Sequence, residues 1–265
     1  MTEIYIELIS YNIILRQTDI KIQSENYTAI AEYYDRMLKH VDYSAWYKFI
    51  SSVMKQYVEN PKTVLELGCG TGKFGSKFSN DNYLMYGLDI SLDMLLVAKA
   101  RAFKNFRLIC SDMRNFKLAK PVDFIFCVHD ALNYFTNRND LKKVFKSVKN
   151  AMDNKSIFMF DITTEYNILN FFSEKTSKFE VRGTNIEWSN TYDEKKKIVY
   201  SYFKVLDRSG EIYNETHAQR IYSIEEIEKI ISEEGFRLID IFSDYSFHPP
   251  KKDTIMINFV TGKKK

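Results

Sequence analysis

Between Val64 and Asp161 short apolar runs alternate with amphipathic segments, and this alternation constrains the fold more than any other feature of the chain. The runs are Thr63–Leu67, Tyr83–Leu88, Phe106–Cys110, Asp123–Val128 and Ser156–Phe160. Each is apolar nearly throughout, the pattern of a strand covered on both faces. Between the last two, Leu141, Val144, Phe145, Val148 and Met152 mark one stripe of a helix expected to start at Asn139 or Asp140. Strands that alternate with helices in this way build a doubly wound, mostly parallel α/β sheet.

The flanks follow other rhythms. In residues 1–26, Ile4, Ile6 and Leu8 alternate like a strand, whereas Tyr11, Ile14 and Leu15 fit a helix; a packing or homodimer-forming arm is expected. From Tyr27 to Val58 the spacing is helical, with Tyr33, Tyr34, Met37 and Leu38 on one face and Trp46, Phe49, Ile50 and Val53 on another. Residues 1–60 are thus expected to form an arm and a helical lid. The sheet domain takes 61–177 and 223–265, and 178–222 form an inserted antiparallel β subdomain. There Ile186, Trp188 and Tyr192 alternate with polar residues, as do Ile198, Tyr200 and Tyr202, between turn signals at Asp193-Glu194-Lys195 and Asp207-Arg208-Ser209-Gly210. About three strands are expected. Ser223 and Glu226 then spell a capping box, and Gly235 closes the helix that it opens. The runs Phe236–Phe242 and Thr254–Val260 are expected to complete the main sheet.

Composition narrows the setting. Apolar residues make up 45% of 265 and aromatic ones 15%, enough for a large core. Lys and Arg number 38 against 35 Asp and Glu. This small, dispersed excess argues against a nucleic-acid or anionic-membrane partner. Cys69, Cys110 and Cys127 are odd in number, lie in apolar surroundings and lack metal-ligand spacing, so reduced thiols, no metal and a cytoplasmic protein are expected. Neither a signal peptide nor a run of about 18–20 apolar residues is visible.

The most informative stretch is Val64-Leu65-Glu66-Leu67-Gly68-Cys69-Gly70-Thr71-Gly72-Lys73-Phe74, a strand entering a turn with three glycines before a helix. A P-loop fails here, because Leu67 stands where its first glycine belongs and Phe74 replaces the hydroxyl. Gly70-Thr71-Gly72-Lys73-Phe74-Gly75 satisfies the dinucleotide pattern, and Asp89 follows at a ribose-binding distance. Charge argues otherwise. Glu66 ends the strand where a pyrophosphate would sit, and its carboxylate repels a dianion but suits an ammonium or a sulfonium.

Leu65-Glu66-Leu67-Gly68-Cys69-Gly70-Thr71-Gly72 resembles the signature of class I S-adenosylmethionine-dependent methyltransferases, and the likeness continues in Gly87-Leu88-Asp89-Ile90-Ser91 and Cys110-Ser111-Asp112-Met113. It spans the chain from about Tyr27 onward and looks closest to small bacterial members with a β insertion after the fifth strand. The resemblance implies a Rossmann-like fold, S-adenosyl-L-methionine as cofactor and methyl transfer as the activity. It gives Asp89 the ribose hydroxyls, Asp112 the adenine amino group and Met113 the face of the ring. Ile90, Met94 and Val128 join Gly68, Cys69, Gly70, Gly72 and Glu66 around the cofactor, with Tyr34 and Trp46 as lid residues. The leading 26 residues exceed what the family implies.

The fourth strand ends in Cys127-Val128-His129-Asp130-Ala131-Leu132-Asn133-Tyr134, and ligands of open α/β sheets gather at such carboxyl ends. No Asn/Asp-Pro-Pro-Tyr/Phe motif stands there, which weakens an amino-group acceptor in DNA, RNA or protein. A small-molecule acceptor carrying a nucleophilic O or N is expected, with His129 as the candidate base and Tyr134 beside it. The alternatives are an RNA or protein methyltransferase and a cofactor-binding module without activity. His217 asks for no functional explanation in the sequence.

Overall fold

The computed structural model describes residues 4–6, 22–23, 25–103 and 105–264. The expected arm at residues 1–26 lies mostly outside them. Of that stretch the strands β1 (Ile4–Ile6) and β2 (Ile22–Gln23) are described.

The chain then runs through α1 (Tyr34–Met37), α2 (Tyr43–Tyr57), β3 (Thr63–Leu67), α3 (Lys73–Asn80), β4 (Leu84–Asp89), α4 (Leu92–Lys99), β5 (Phe106–Cys110) and β6 (Phe124–Cys127). A 3₁₀ turn (Ala131–Tyr134), α5 (Arg138–Asn150), β7 (Ile157–Thr163), α6 (Glu165–Asn167) and a π turn (Ile168–Phe172) follow. The last elements are β8 (Thr176–Val181), β9 (Thr184–Asp193), β10 (Ile198–Leu206), β11 (Ile212–Arg220), α7 (Ile224–Glu233), β12 (Phe236–Ser243) and β13 (Met256–Lys263).

The main sheet has the order β1-β5-β4-β3-β6-β7-β13-β12. Its strands are parallel except β13, which is antiparallel to both neighbours. This is the doubly wound sheet expected from the alternation. Strand parity divides its core. Leu65, Ile125, Cys127, Phe158 and Phe160 meet α5 and α7 on one face, while Val64, Phe124, Phe126 and Met159 meet α2 and α3 on the other. The chain leaves β3 toward β4 and β5, then returns to the opposite side through β6. That reversal opens a crevice at the carboxyl ends of β3 and β6.

Several local expectations are corrected. Helix α5 starts earlier than Asn139, because the Asn137 side chain caps it by accepting from the N–H groups of Asn139 and Asp140. The long helical stretch from Tyr27 is broken. The N–H groups of Tyr27 and Ala29 bond to the Glu215 carboxylate rather than to a helical ladder, and Asp42 caps a new helix through Ser44 and Ala45. The second sheet, ordered β2-β11-β10-β9-β8, holds four antiparallel strands where three were expected, with β2 added in parallel. Strand β8 escaped notice because nearly all of it is exposed and carries no alternation. Ile186, Trp188, Asn190, Val199, Ser201 and Phe203 point to the inner face of this sheet, and Tyr200 and Tyr202 stand on the other. Among the described residues no helix is long and apolar enough to cross a membrane.

Gly75 marks the tightest helix–sheet approach. A Cβ built there would lie 2.2 Å from the ring of Phe106, the buried first residue of β5. Overpacking of this kind costs about 1–3 kcal/mol, against a helix-propensity gain of at most about 1 kcal/mol for alanine. Gly75→Ala should therefore lower the urea midpoint of unfolding; an unchanged or higher midpoint would show that the Phe106 ring gives way freely.

Candidate functional site

Glycine conformation shapes the loop after β3. Gly68, Gly70 and Gly72 have φ of +69°, +50° and +74°, values that side-chain-bearing residues adopt at a cost. The loop is pinned from β4. Leu88 carbonyl oxygen accepts from the N–H groups of Gly68 and Cys69 at 2.8 and 3.0 Å, and the Asp89 carboxylate accepts from those of Gly70 and Ser91 at 2.8 and 2.9 Å. Ser91 in turn caps α4 through the N–H of Met94.

These elements frame a cleft of about 370 Å³. It is lined by Glu66, Gly68, Cys69 and Gly70 of the loop, by Asp89, Ile90 and Met94 after β4, by Asp112 and Met113 after β5, and by Val128 and Ala131 after β6. Glu66 is buried at 2% exposure, and its Oε2 has no hydrogen-bond partner among the described residues. Burial, reinforced by the nearby Asp89 charge, pushes its carboxyl well above the usual range. A carboxyl group so placed gains most from a cation. Asp112 is gripped by the Arg114 guanidinium at 2.5 Å. Gly72 lies behind the loop as the N-cap of α3, packed on Ala98 and Phe106.

The helical segment before the sheet is fastened to this loop by Asp35. Its carboxylate accepts from the Thr71 hydroxyl at 2.7 Å and from Arg101 at 2.5 Å, with Lys73 at 3.6 Å. Tyr34 is thereby carried to the cleft, where its hydroxyl lies 3.4 Å from His129 Nδ1.

The end of β6 is unusual. His129 and Asp130 both have positive φ, +63° and +52°, although neither is glycine. Asp161, fully buried on β7, accounts for it. Its two carboxylate oxygens accept from the N–H groups of His129 and Asp130 at 2.7 and 2.8 Å, and the Tyr245 hydroxyl donates to the same carboxylate. Burial lowers His129 to about 4, so its imidazole is neutral around pH 7. Burial and the Asp161 charge raise Asp130 to about 8, and burial raises Asp161 to about 6.

Beyond this turn lies a second cavity of about 890 Å³, between the inner face of the inserted sheet, the π turn and the N-terminal helices. Trp188, Phe203, Phe172 and Phe179 supply aromatic walls, and Asn190, Ser201, Gln219 and His217 supply polar groups. Tyr27, Tyr34, His129 and Tyr134 line both cavities and so form the partition between them. Trp46 stands on the wall of the second cavity and not the first, stacked on Tyr245 at 3.8 Å between centroids.

Of the residues singled out in the sequence, the fold gathers most around one cleft, while Gly72 lies behind the loop and Trp46 on the second cavity; Tyr27, Asp35, Asp161, Glu215 and His217 had been given no role. Asp161 left a signal, a lone acid closing an otherwise apolar run. Asp35 and Glu215 left none, since their partners are backbone and side-chain groups far along the chain.

A family model described as a methyltransferase domain matches residues 64–155. The crystal structure of an S-adenosylmethionine-dependent methyltransferase from Clostridium acetobutylicum is 27% identical, with a TM-score of 0.78 over 90% of this chain and 99% of that one. A candidate methyltransferase of Geobacillus sp. strain WCH70 is 24% identical over 89% of this chain and 99% of its own length. YqeM of Bacillus subtilis, also a candidate methyltransferase, is 26% identical over 90% and 98%.

The acidic turn sets a pH dependence. Asp130 ionises near pH 4 when unfolded and near 8 when folded, so its contribution to stability is present below about pH 4 and is lost as the pH rises toward 8. Asp130→Asn keeps a residue that tolerates positive φ and removes that titration. Its advantage in urea midpoint over the parent should grow between pH 4 and 8 and then level off; a constant difference would contradict the assignment.

Proposed function

The chain belongs to the class I S-adenosylmethionine-dependent methyltransferases, and from that premise we propose that it methylates a nucleophilic O or N of a small molecule held in the second cavity. The observation that carries this reading is the partition: the cleft at the glycine loop and the cavity under the inserted sheet meet at Tyr27, Tyr34, His129 and Tyr134.

The residues of the first cleft suit S-adenosyl-L-methionine, which when bound supplies a methyl group activated by a positively charged sulfur. Glu66, with its unpartnered oxygen, would take the ammonium. Asp89 spends one bond per oxygen on the Gly70 and Ser91 N–H groups, which leaves each oxygen a lone pair for a ribose hydroxyl. A Cβ built on Gly70 meets nothing within 4 Å, so this edge of the loop lies open to a ligand. Ile90, Met94, Met113 and Val128 offer apolar walls. Asp112 would accept from the adenine amino group with the capacity that Arg114 leaves free.

On the acceptor side, a cavity walled by Trp188, Phe203 and Phe172 suits a molecule with an apolar ring or stem. Tyr34 and Trp46 would shield it from water. Methyl transfer draws mainly on alignment, worth several kcal/mol and up to about 7–11 in favourable intramolecular cases. His129, at about 4, is a weak base near neutral pH and is better placed to orient the acceptor.

The test is methyl transfer from S-adenosylmethionine to catechol, tryptamine and glucosamine, set against total RNA and unfolded protein, with S-adenosylhomocysteine as the readout. Turnover confined to the small molecules is expected, and turnover confined to RNA or protein would overturn the reading. Glu66→Gln separates cofactor binding from folding. It should raise the urea midpoint at neutral pH, because a carboxyl whose ionisation burial opposes is replaced by a neutral amide, and weaken S-adenosylmethionine about tenfold or more by titration calorimetry. Unchanged affinity would remove Glu66 from the cofactor site.

A further inference from the structure

The inserted sheet delivers an acid and an imidazole to the partition between the two cavities. Glu215 and His217 lie two residues apart on β11 and are 1% and 2% exposed. Glu215 Oε2 accepts from the Tyr27 N–H at 2.8 Å and stands 3.0 Å from His217 Nε2, while Oε1 accepts from the N–H groups of Ala29 and Ile30. Three backbone donors converge on this one side chain, whose oxygens act as acceptors. His217 Nε2 therefore carries the ring proton, and Nδ1 keeps a lone pair. Tyr134 Oη lies 2.8 Å from that Nδ1 and so donates to it; Tyr27 Oη, the second partner of Tyr134, donates to Tyr134. Every bond in the series Tyr27, Tyr134, His217, Glu215 then runs in one direction, from the cavity wall toward the buried acid.

We propose that this series is a proton relay that receives the proton of the acceptor during methyl transfer. The proposal rests on the small-molecule reading above. As the acceptor's X–H bond breaks, its electron pair forms the new bond to the methyl carbon, and the carbon–sulfur pair stays with sulfur. The proton enters at the paired hydroxyls of Tyr27 and Tyr134, and the Tyr134 proton passes to His217 Nδ1. The imidazolium is held against the Glu215 carboxylate and gives its proton to water as products leave. Burial pushes both phenols upward, so neither stores a phenolate between turnovers and the proton passes through in one concerted movement. Asp130, Tyr34 and Glu215 also face Tyr134, and any negative charge among them raises its phenol further. Tyr27 and Tyr134 touch the acceptor space and are the catalytic members. His217 lines the same cavity and receives the proton from Tyr134, and Glu215 acts through His217.

Nitrogen NMR of the full-length protein, labelled with ¹⁵N-histidine and saturated with S-adenosylhomocysteine, reads the relay without turnover. The His217 ring should be the Nε2–H tautomer with a hydrogen-bonded Nδ1, and Tyr134→Phe should shift Nδ1 and leave Nε2 in place. An Nδ1–H tautomer, or an Nδ1 signal indifferent to Tyr134→Phe, would overturn the proposal. In single turnover with whichever of catechol, tryptamine and glucosamine reacts fastest, Tyr134→Phe and His217→Gln should each slow transfer about 100-fold. Affinity for S-adenosylmethionine should stay within about threefold, and the acid limb of the pH–rate profile should vanish. Rates within threefold of the parent would also overturn it. If none of the three compounds reacts, the acceptor reading above fails, and the relay is decided by the spectra alone.

Discussion

The Asp161 carboxylate, sealed at the end of β7, is the interaction on which the arrangement of the site depends. It gathers the N–H groups of His129 and Asp130 and so holds two consecutive side-chain-bearing residues in the left-handed region. Such conformations persist where the surroundings over-determine them. The surroundings here are an ion-strength hydrogen-bond pair, the Tyr245 hydroxyl and the Asn133 side chain, which bridges the Thr163 N–H and the Arg220 carbonyl. The turn sends the chain sharply away from the sheet and sets His129 and Tyr134 between the two cavities.

Two more acids repeat this use of charge. Asp35 ties the segment before the sheet to the glycine loop through Thr71 and Arg101, and Glu215 collects the backbone of Tyr27, Ala29 and Ile30 from the inserted sheet. The N-terminal segment is thereby clamped to both halves of the site by charge-assisted bonds, with Ile30 and Met37 buried on the face of the second sheet. Charge-assisted bonds are about twice as strong as neutral ones, and here they add direction to the apolar packing of the segment. Glu66 differs from these three. Its Oε2 is buried without a hydrogen-bond partner among the described residues, a cost that a protein retains where a ligand can repay it.

The division of labour between the sheets follows from their cores. Helices on both faces of the main sheet bury nearly continuous apolar strands, so its carboxyl ends are rigid supports for Glu66, Asp89 and His129. The inserted sheet buries one face only. Its inner side alternates large aromatics such as Trp188 and Phe203 with polar groups such as Asn190 and Ser201, where the Ser201 hydroxyl and the Trp188 indole both donate to Asn190. A face of this kind can line a cavity without collapsing into a dry core.

Much of this was legible in the residues. Runs of buried β-formers and helical stripes are local patterns, so the strands β3 to β7, the capping box at Ser223 and the glycine loop could be placed before any coordinates. Glu66 could be singled out by its place at the end of the strand before that loop, and Asp89 and Met113 by the resemblance to the methyltransferase signature. The partition between the cavities could not. Tyr27 and Tyr134 are 107 residues apart, Tyr134 and His217 are 83 apart, and Glu215 reaches back 188 residues to the Tyr27 N–H. Sequence by itself determined the doubly wound sheet and the glycine loop with its acid, because both follow from local periodicity and residue type. Tertiary structure alone decided which acids hold the cover and which histidine meets which tyrosine, because those bonds exist only once strands distant in the chain are laid side by side.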